Sequence, residues 1–220
     1  KEKTLHKWTY SLKTMSITLI IIVITAAVSI PAFKNLSLFY KLDFSPYQAE
    51  NRKEWYRFIS HAFVHADWWH LILNMLVLFF FGDITQNYFE AYLGEQGTYY
   101  FVLLYVGGIL FATLPSYRKH RNNPNYHSVG ASGAVSAVLF SSVMFSPATS
   151  ICLYGLLCFP GILWALIYLV YSYRQGKKGG DHIDHDAHFW GAIYGVLFTF
   201  IAIPEAIPMF YKQVLELLPF

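Results

Sequence analysis

Apolar residues run in long blocks along the chain, separated by shorter polar stretches. The blocks fall near 15–33, 68–88, 98–116, 130–147, 150–173 and 188–203. Helices of about 18 or more apolar residues cross a hydrocarbon core of roughly 30 Å. Lipid offers no water to satisfy the backbone, so each block is predicted to be a helix. Pro31, Pro147 and Pro204 close the first, fourth and sixth blocks, and Pro160 with Gly161 interrupts the fifth. Trp68 and Trp69 open the second block, as aromatic residues do at a membrane interface. The expected fold is all-α: a polytopic membrane protein with a bundle of six transmembrane helices.

The connections differ in character. Residues 34–67 form a long loop of mixed charge with Trp55, Tyr56 and Phe58, which suggests a segment lying partly in the interface. Almost nothing joins the fourth and fifth blocks, which predicts antiparallel neighbours. Residues 174–187 are polar and contain glycine, so a mobile connection is expected there. Residues 205–220 are read as a short surface tail, able to form one helix. No repeat or second domain interrupts the pattern. The chain is read as one domain over 1–220, with its core at about 55–203.

Composition supports lipid as the solvent: 55% of residues are hydrophobic and 13% charged, against about a quarter charged in a soluble domain. A formal charge of +3 is too small to suggest a nucleic-acid partner. Lys1, Lys3, Lys7 and Lys13 suit a membrane surface. The first block lacks a clear small-residue cleavage site and is read as a retained helix. Cys152 and Cys158 fall in one apolar block. Six residues on a helix rise about 9 Å, beyond disulfide reach, so both are read as buried free thiols.

Polar groups inside apolar helices are costly, and each is therefore a candidate for function. His70 and Asn74 are four apart on the second block and share a helix face. Hydrogen bonding between helices is the plain alternative. The fourth block opens Gly130-Ala131-Ser132-Gly133. Small residues also serve close packing, but Ser132 lies near a helix N-terminus, where amides favour an anion. The sixth block opens His188-x-x-Gly191-x-x-x-Gly195, a face of small residues beside a histidine. A surface polar cap would explain His188 but not its register with the glycines. In a serpentine bundle these three helices enter from one side, so His70, Asn74, Ser132 and His188 should share one depth.

The run His61-Ala62-Phe63-Val64-His65, then His70-x-x-x-Asn74, Gly130-x-Ser132-Gly133 and His188-x-x-Gly191-x-x-x-Gly195 resembles the rhomboid family of intramembrane serine proteases over about 55–200. The resemblance implies Ser132 as nucleophile and His188 as general base. It implies an oxyanion site from the Ser132 amide with the side chains of His70 and Asn74. Gly130 would shape the turn presenting Ser132; Gly133, Gly191 and Gly195 would support the helix approach. Asp184 and Asp186 are read as solvated loop charges. The sequence departs from the family at Ser136, where many bacterial members carry an aromatic residue against the catalytic histidine. Phe189 and Phe140 are the candidates to replace it.

The expected partners are transmembrane protein substrates and the bilayer. No cofactor and no metal are expected, and the sequence says nothing of oligomeric state. The resemblance further implies a bacterial plasma membrane with a cytoplasmic N-terminus. The first helix agrees with that orientation, whereas Arg118, Lys119, Arg121, Arg174, Lys177 and Lys178 oppose it. Two other readings stand beside the protease. One is a non-catalytic rhomboid-like protein that binds transmembrane helices. The other is a metal-binding membrane protein using the His and Asp cluster at 181–188.

Overall fold

The computed structural model describes residues 16–153, 155–178 and 184–217. The lysines before residue 14 and the cluster positions 181–183 lie outside them. Helix α1 spans Ile17–Ala32 and is capped by Ser16, whose side chain accepts from the Leu19 amide. Four short elements follow: α2 (Leu36–Leu42), α3 (Pro46–Asn51), α4 (Arg57–Ser60) and a 3-10 turn at His61–Phe63. Helix α5 (Trp68–Leu93) is capped by Asp67, and a turn at Gly94–Gln96 returns the chain into α6 (Gly97–His120). Then come α7 (Ser132–Phe145), strands β1 (Ser150–Leu153) and β2 (Leu157–Pro160), α8 (Gly161–Lys178), α9 (His185–Ala202) and α10 (Ala206–Leu215).

The burial pattern is inverted relative to a water-soluble bundle. In α1 the buried side chains are Thr18, Thr25, Ser29 and Ala32, while Leu19, Val23, Ile24 and Ile30 face outward. In α5 Asn74, Gly82 and Thr85 point inward, and Leu73, Leu76, Phe79 and Phe80 point outward. Small and polar residues let helices approach and hydrogen-bond when the surroundings are as apolar as leucine. By length and composition, one stretch among the described residues, Trp68–His120, can cross a membrane. Helices α1 and α7 are apolar but shorter, and α9 passes only with α10, a pair bent by 117°. Helix length alone thus does not give six crossings.

Helix α7 is the axis of the bundle. Nearly every one of its residues is buried against α5, α6, α8 and α9. Its 14 residues rise about 21 Å, less than the hydrocarbon thickness. The chain therefore reaches its first residue, Ser132, through an extended approach that pairs Ser128 with Phe44. The 34–67 loop closes over this end. Its organiser is Arg57, almost fully buried, which donates to Asp43 Oδ1 at 2.6 Å, to the Tyr40 and Asp43 carbonyls, to Gln48 and to Glu54. Trp55 and Tyr56 remain exposed, in keeping with an interfacial segment.

The fifth block departs from expectation. Residues 150–160 form an antiparallel hairpin, and the helix begins only at Gly161. An unbroken apolar run carries no period, so helix and strand read alike. The hairpin sets Cys152 opposite Cys158 with Cα atoms 4.0 Å apart, and the two form a disulfide. The free-thiol expectation fails because it assumed helical rise. The fourth and fifth blocks are consequently joined by this hairpin rather than by almost nothing. Residues 174–178 of the expected mobile connection belong to α8. The tail helix is present as α10.

Candidate active site

Ser132 is the first residue of α7, and no side chain caps that helix. The first-turn amides are left to a solvent or ligand oxygen. Gly130 enables the entry: its φ is 112°, in the region that favours glycine. A Cβ there would sit 2.6 Å from Cε1 and 2.7 Å from Nε2 of His70. The His70 ring is thus seated against the turn that leads into Ser132. His70 Nδ1 accepts from the Ala66 amide at 3.5 Å, which assigns the proton to Nε2, the nitrogen beside Gly130. Asn74 is one turn along α5, buried, and donates one Nδ2 hydrogen to the His70 carbonyl at 2.8 Å.

The turn is anchored from behind. The Ala131 amide donates to His65 Nε2 at 3.4 Å. His65 Nδ1 lies 2.9 Å from Ser29 Oγ, which donates to the Phe63 carbonyl at 2.8 Å. The three bonds are mutually consistent only for neutral His65 with its proton on Nδ1. Burial, with His70 and His61 nearby, lowers the His65 pKa to about 3. His61 is likewise lowered by burial, to about 4, and its carbonyl accepts from the Gly130 amide at 2.9 Å. Ser29 was invisible to sequence reasoning, since a single serine in an apolar helix carries no signal.

His188 lies in the first turn of α9, which crosses α7 at close range. A Cβ on Gly191 would run into the Gly133 carbonyl, and one on Gly195 into the Ala137 carbonyl. From the other side, a Cβ on Gly133 would sit 3.4 Å from the Ala187 carbonyl. Ser132 and His188 therefore both lie at the N-terminal end of this backbone-on-backbone contact, one residue before Gly133 and one turn before Gly191. The glycines predicted to support this approach are the residues at the contact.

Asp184 is not a solvated charge. It caps α9 at the Ala187 amide, and its carboxylate accepts from Ser116 at 2.8 Å and from Tyr126 at 2.7 Å. The sequence reading missed this because both donors come from distant elements. Burial, then the Asp184 charge, raises the Tyr126 pKa. Asp186 forms a half-exposed ion pair with Lys119 at 3.1 Å, closer to the expected solvated role.

Neither Phe189 nor Phe140 supplies the ring beside His188. Phe189 packs on Tyr173 and Trp190. Tyr168 of α8 lies beside His188 at 6.1 Å between centroids and 21° between planes, and the His185 ring meets His188 edge-on at 5.8 Å. The Tyr168 hydroxyl is 2.8 Å from Ser136 Oγ. No spacing in the sequence signalled this pair. Among the described residues, no three His, Cys, Asp or Glu side chains gather as metal ligands.

Two hollows adjoin the site. A small cavity of about 20 Å³ touches Ser132, Gly130, His61, Thr113, Asp184 and Ala187. An apolar groove of about 490 Å³ runs between α5 and α8 with α7 as its floor, lined by Val77, Phe81, Phe140, Trp164, Tyr168 and Tyr171 among others.

A family model of the Rhomboid domain matches residues 52–205. RHOMBOID-like protein 12, mitochondrial, from Arabidopsis thaliana is 28% identical over 143 residues, which is 61% of this chain and 42% of that protein. Rhomboid-like protein 11, chloroplastic, from the same plant is 27% identical over 172 residues, 71% of this chain and 56% of that protein. The chain spans about half the length of these relatives. Their names refer to mitochondria and chloroplasts and lend no support to the expected bacterial plasma membrane.

Proposed function

The chain belongs to the rhomboid family, and on that premise we propose that it is an intramembrane serine endopeptidase acting through Ser132 and His188. The family is membrane-embedded. In this reading α1, α5, α6, α7, α8 and α9 are the six crossings of a single domain, with 34–67 at the interface. A substrate's transmembrane segment enters by the apolar groove between α5 and α8 and unwinds near the start of α7. His188 takes the Ser132 proton as the hydroxyl attacks the scissile carbonyl, and an acyl-enzyme forms. The oxyanion is held by the Ser132 amide, His70 Nε2 and the second Nδ2 hydrogen of Asn74. Each such donor is typically worth ~2.7–4 kcal/mol of barrier. His188 then returns its proton to the leaving amine, and water releases the acyl group.

The observation that supports this reading is the close contact of α7 and α9 at Gly133 and Gly191, with Ser132 one residue before Gly133 and His188 one turn before Gly191. A bond of about 3 Å between side chains of two helices needs such an approach, and mere packing does not explain a histidine beside it. The test is cleavage of a detergent-solubilised transmembrane substrate by purified protein. Loss of cleavage in both Ser132→Ala and His188→Ala is expected. Unchanged cleavage in Ser132→Ala rejects the reading, and no cleavage by any form favours the helix-binding alternative.

A further inference from the structure

A ring stacked beside His188 is carried by α8, the helix that also walls the apolar groove. Tyr168 is half-buried, lies nearly parallel to the imidazole, and packs against the fully buried Phe140 at 5.7 Å between centroids. Its hydroxyl is tied to Ser136, which sits one turn beyond Ser132 on α7 and is itself buried. One turn further along α8, Tyr171 meets His185 edge-on at 5.5 Å. Two tyrosines three apart thus face two histidines three apart, a register that fixes how α8 and α9 sit against each other. An imidazole that must accept a proton from Ser132 has to be held in plane, and a parallel ring on one face restricts its rotation.

We propose that Tyr168, anchored by Ser136, is the positioning residue for His188, so that the helix lining the groove also sets the alignment of the imidazole. This rests on the Ser132–His188 reading above. Tyr168 acts through His188 and does not itself touch the reacting atoms. Because Tyr168 also lines the groove, displacing α8 to admit a substrate segment would release the imidazole, and α8 must close again before the serine is activated.

The experiment compares wild type, Tyr168→Ala, Tyr168→Phe, Ser136→Ala and the Phe/Ala double variant. Each is measured by transmembrane-substrate kinetics and by the labelling rate with a small fluorophosphonate, which needs no groove. Tyr168→Ala is expected to lower kcat and the labelling rate by roughly 10- to 100-fold with little change in KM, the size of effect a slight misplacement produces. Tyr168→Phe and Ser136→Ala are each expected to lose about fivefold, the worth of one hydrogen bond, and the double variant no more than either. The acid limb of the pH–rate profile should move in Tyr168→Ala, which a purely structural loss would not produce. If KM rises while fluorophosphonate labelling stays at the wild-type rate, Tyr168 is only a groove residue and the proposal is wrong. Should Tyr168→Ala fail to fold, additive losses in the Phe/Ala cycle overturn it equally. Wild-type protein that neither cleaves nor labels indicts the protease reading itself, a separable outcome.

Discussion

The Gly133 carbonyl occupies the space that a side chain on Gly191 would need. Helices α7 and α9 meet there backbone to backbone, one residue after Ser132 and one turn after His188. Any substituent must push the two helices apart at the level of Ser132.

Gly191→Ala is accordingly expected to destabilise the bundle by about 1–3 kcal/mol, the usual range for overpacking, and to reduce activity by more than its stability loss explains. Gly94→Ala provides a contrast: no atom lies within 4 Å of a Cβ there, although its φ of 61° adds local strain. Thermal unfolding in detergent, paired with substrate cleavage, separates the two. Equal activity in wild type and Gly191→Ala contradicts the close crossing.

The buried histidines predict a pH dependence. His61 and His65 are lowered to about 4 and about 3, against about 6.5 in an unfolded chain. Below pH 6.5 the unfolded chain binds protons that the folded one refuses, so stability is present above that pH and falls as the pH drops towards 4. Protonated His65 can no longer accept from Ala131, so the turn before Ser132 should loosen first. Hydrogen exchange should show protection lost at 57–66 and 128–131 between pH 7 and 4. Constant protection there over the same range would refute the neutral relay.

Arg57 ties the cap of the site together. Removing one partner of a buried ion pair leaves the other charge uncompensated and typically costs ~3–5 kcal/mol. Arg57→Ala should therefore unfold the 34–67 region or the whole bundle, leaving 34–67 open to protease. Resistance to limited proteolysis equal to wild type would show that Arg57 is dispensable.

Much of this was readable from the residues. The apolar blocks predicted α1, α5, α6, α7 and α9 to within a few residues, because long runs leave little choice in lipid. Gly191 and Gly195 stood in a register of small residues that suits close approach, and each faces the backbone of α7. The fifth block failed where its apolar run had no period to distinguish the β1–β2 hairpin from a helix. Asp184, Ser29 and Tyr168 were missed for a different reason. Each is hydrogen-bonded to a residue on a distant element, Tyr126, His65 and Ser136, and such pairings are set by packing rather than by local pattern.

The disulfide carries a prediction about orientation. The β1–β2 hairpin follows the C-terminal end of α7, opposite Ser132, and disulfides persist in oxidising compartments. Arg118 and Lys119 in the last turn of α6 and Lys177 and Lys178 in the last turn of α8 lie towards the other end, where Lys119 pairs with Asp186, as cations do on the inner side of a membrane. Both point to an outward hairpin and an inward Ser132 end, the reverse of the orientation expected from the first helix. Intact cells treated with membrane-impermeant reductant and then PEG-maleimide should show two modified cysteines. Modification only after permeabilisation supports the original orientation.

The central claim is that Ser132 is a nucleophile activated by His188. Purified protein in detergent is treated with a fluorophosphonate, and the modified residue is located by peptide mass spectrometry. The account predicts a single adduct on Ser132 that disappears in His188→Ala. An adduct on another serine, or on Ser132 at the same rate without His188, contradicts it.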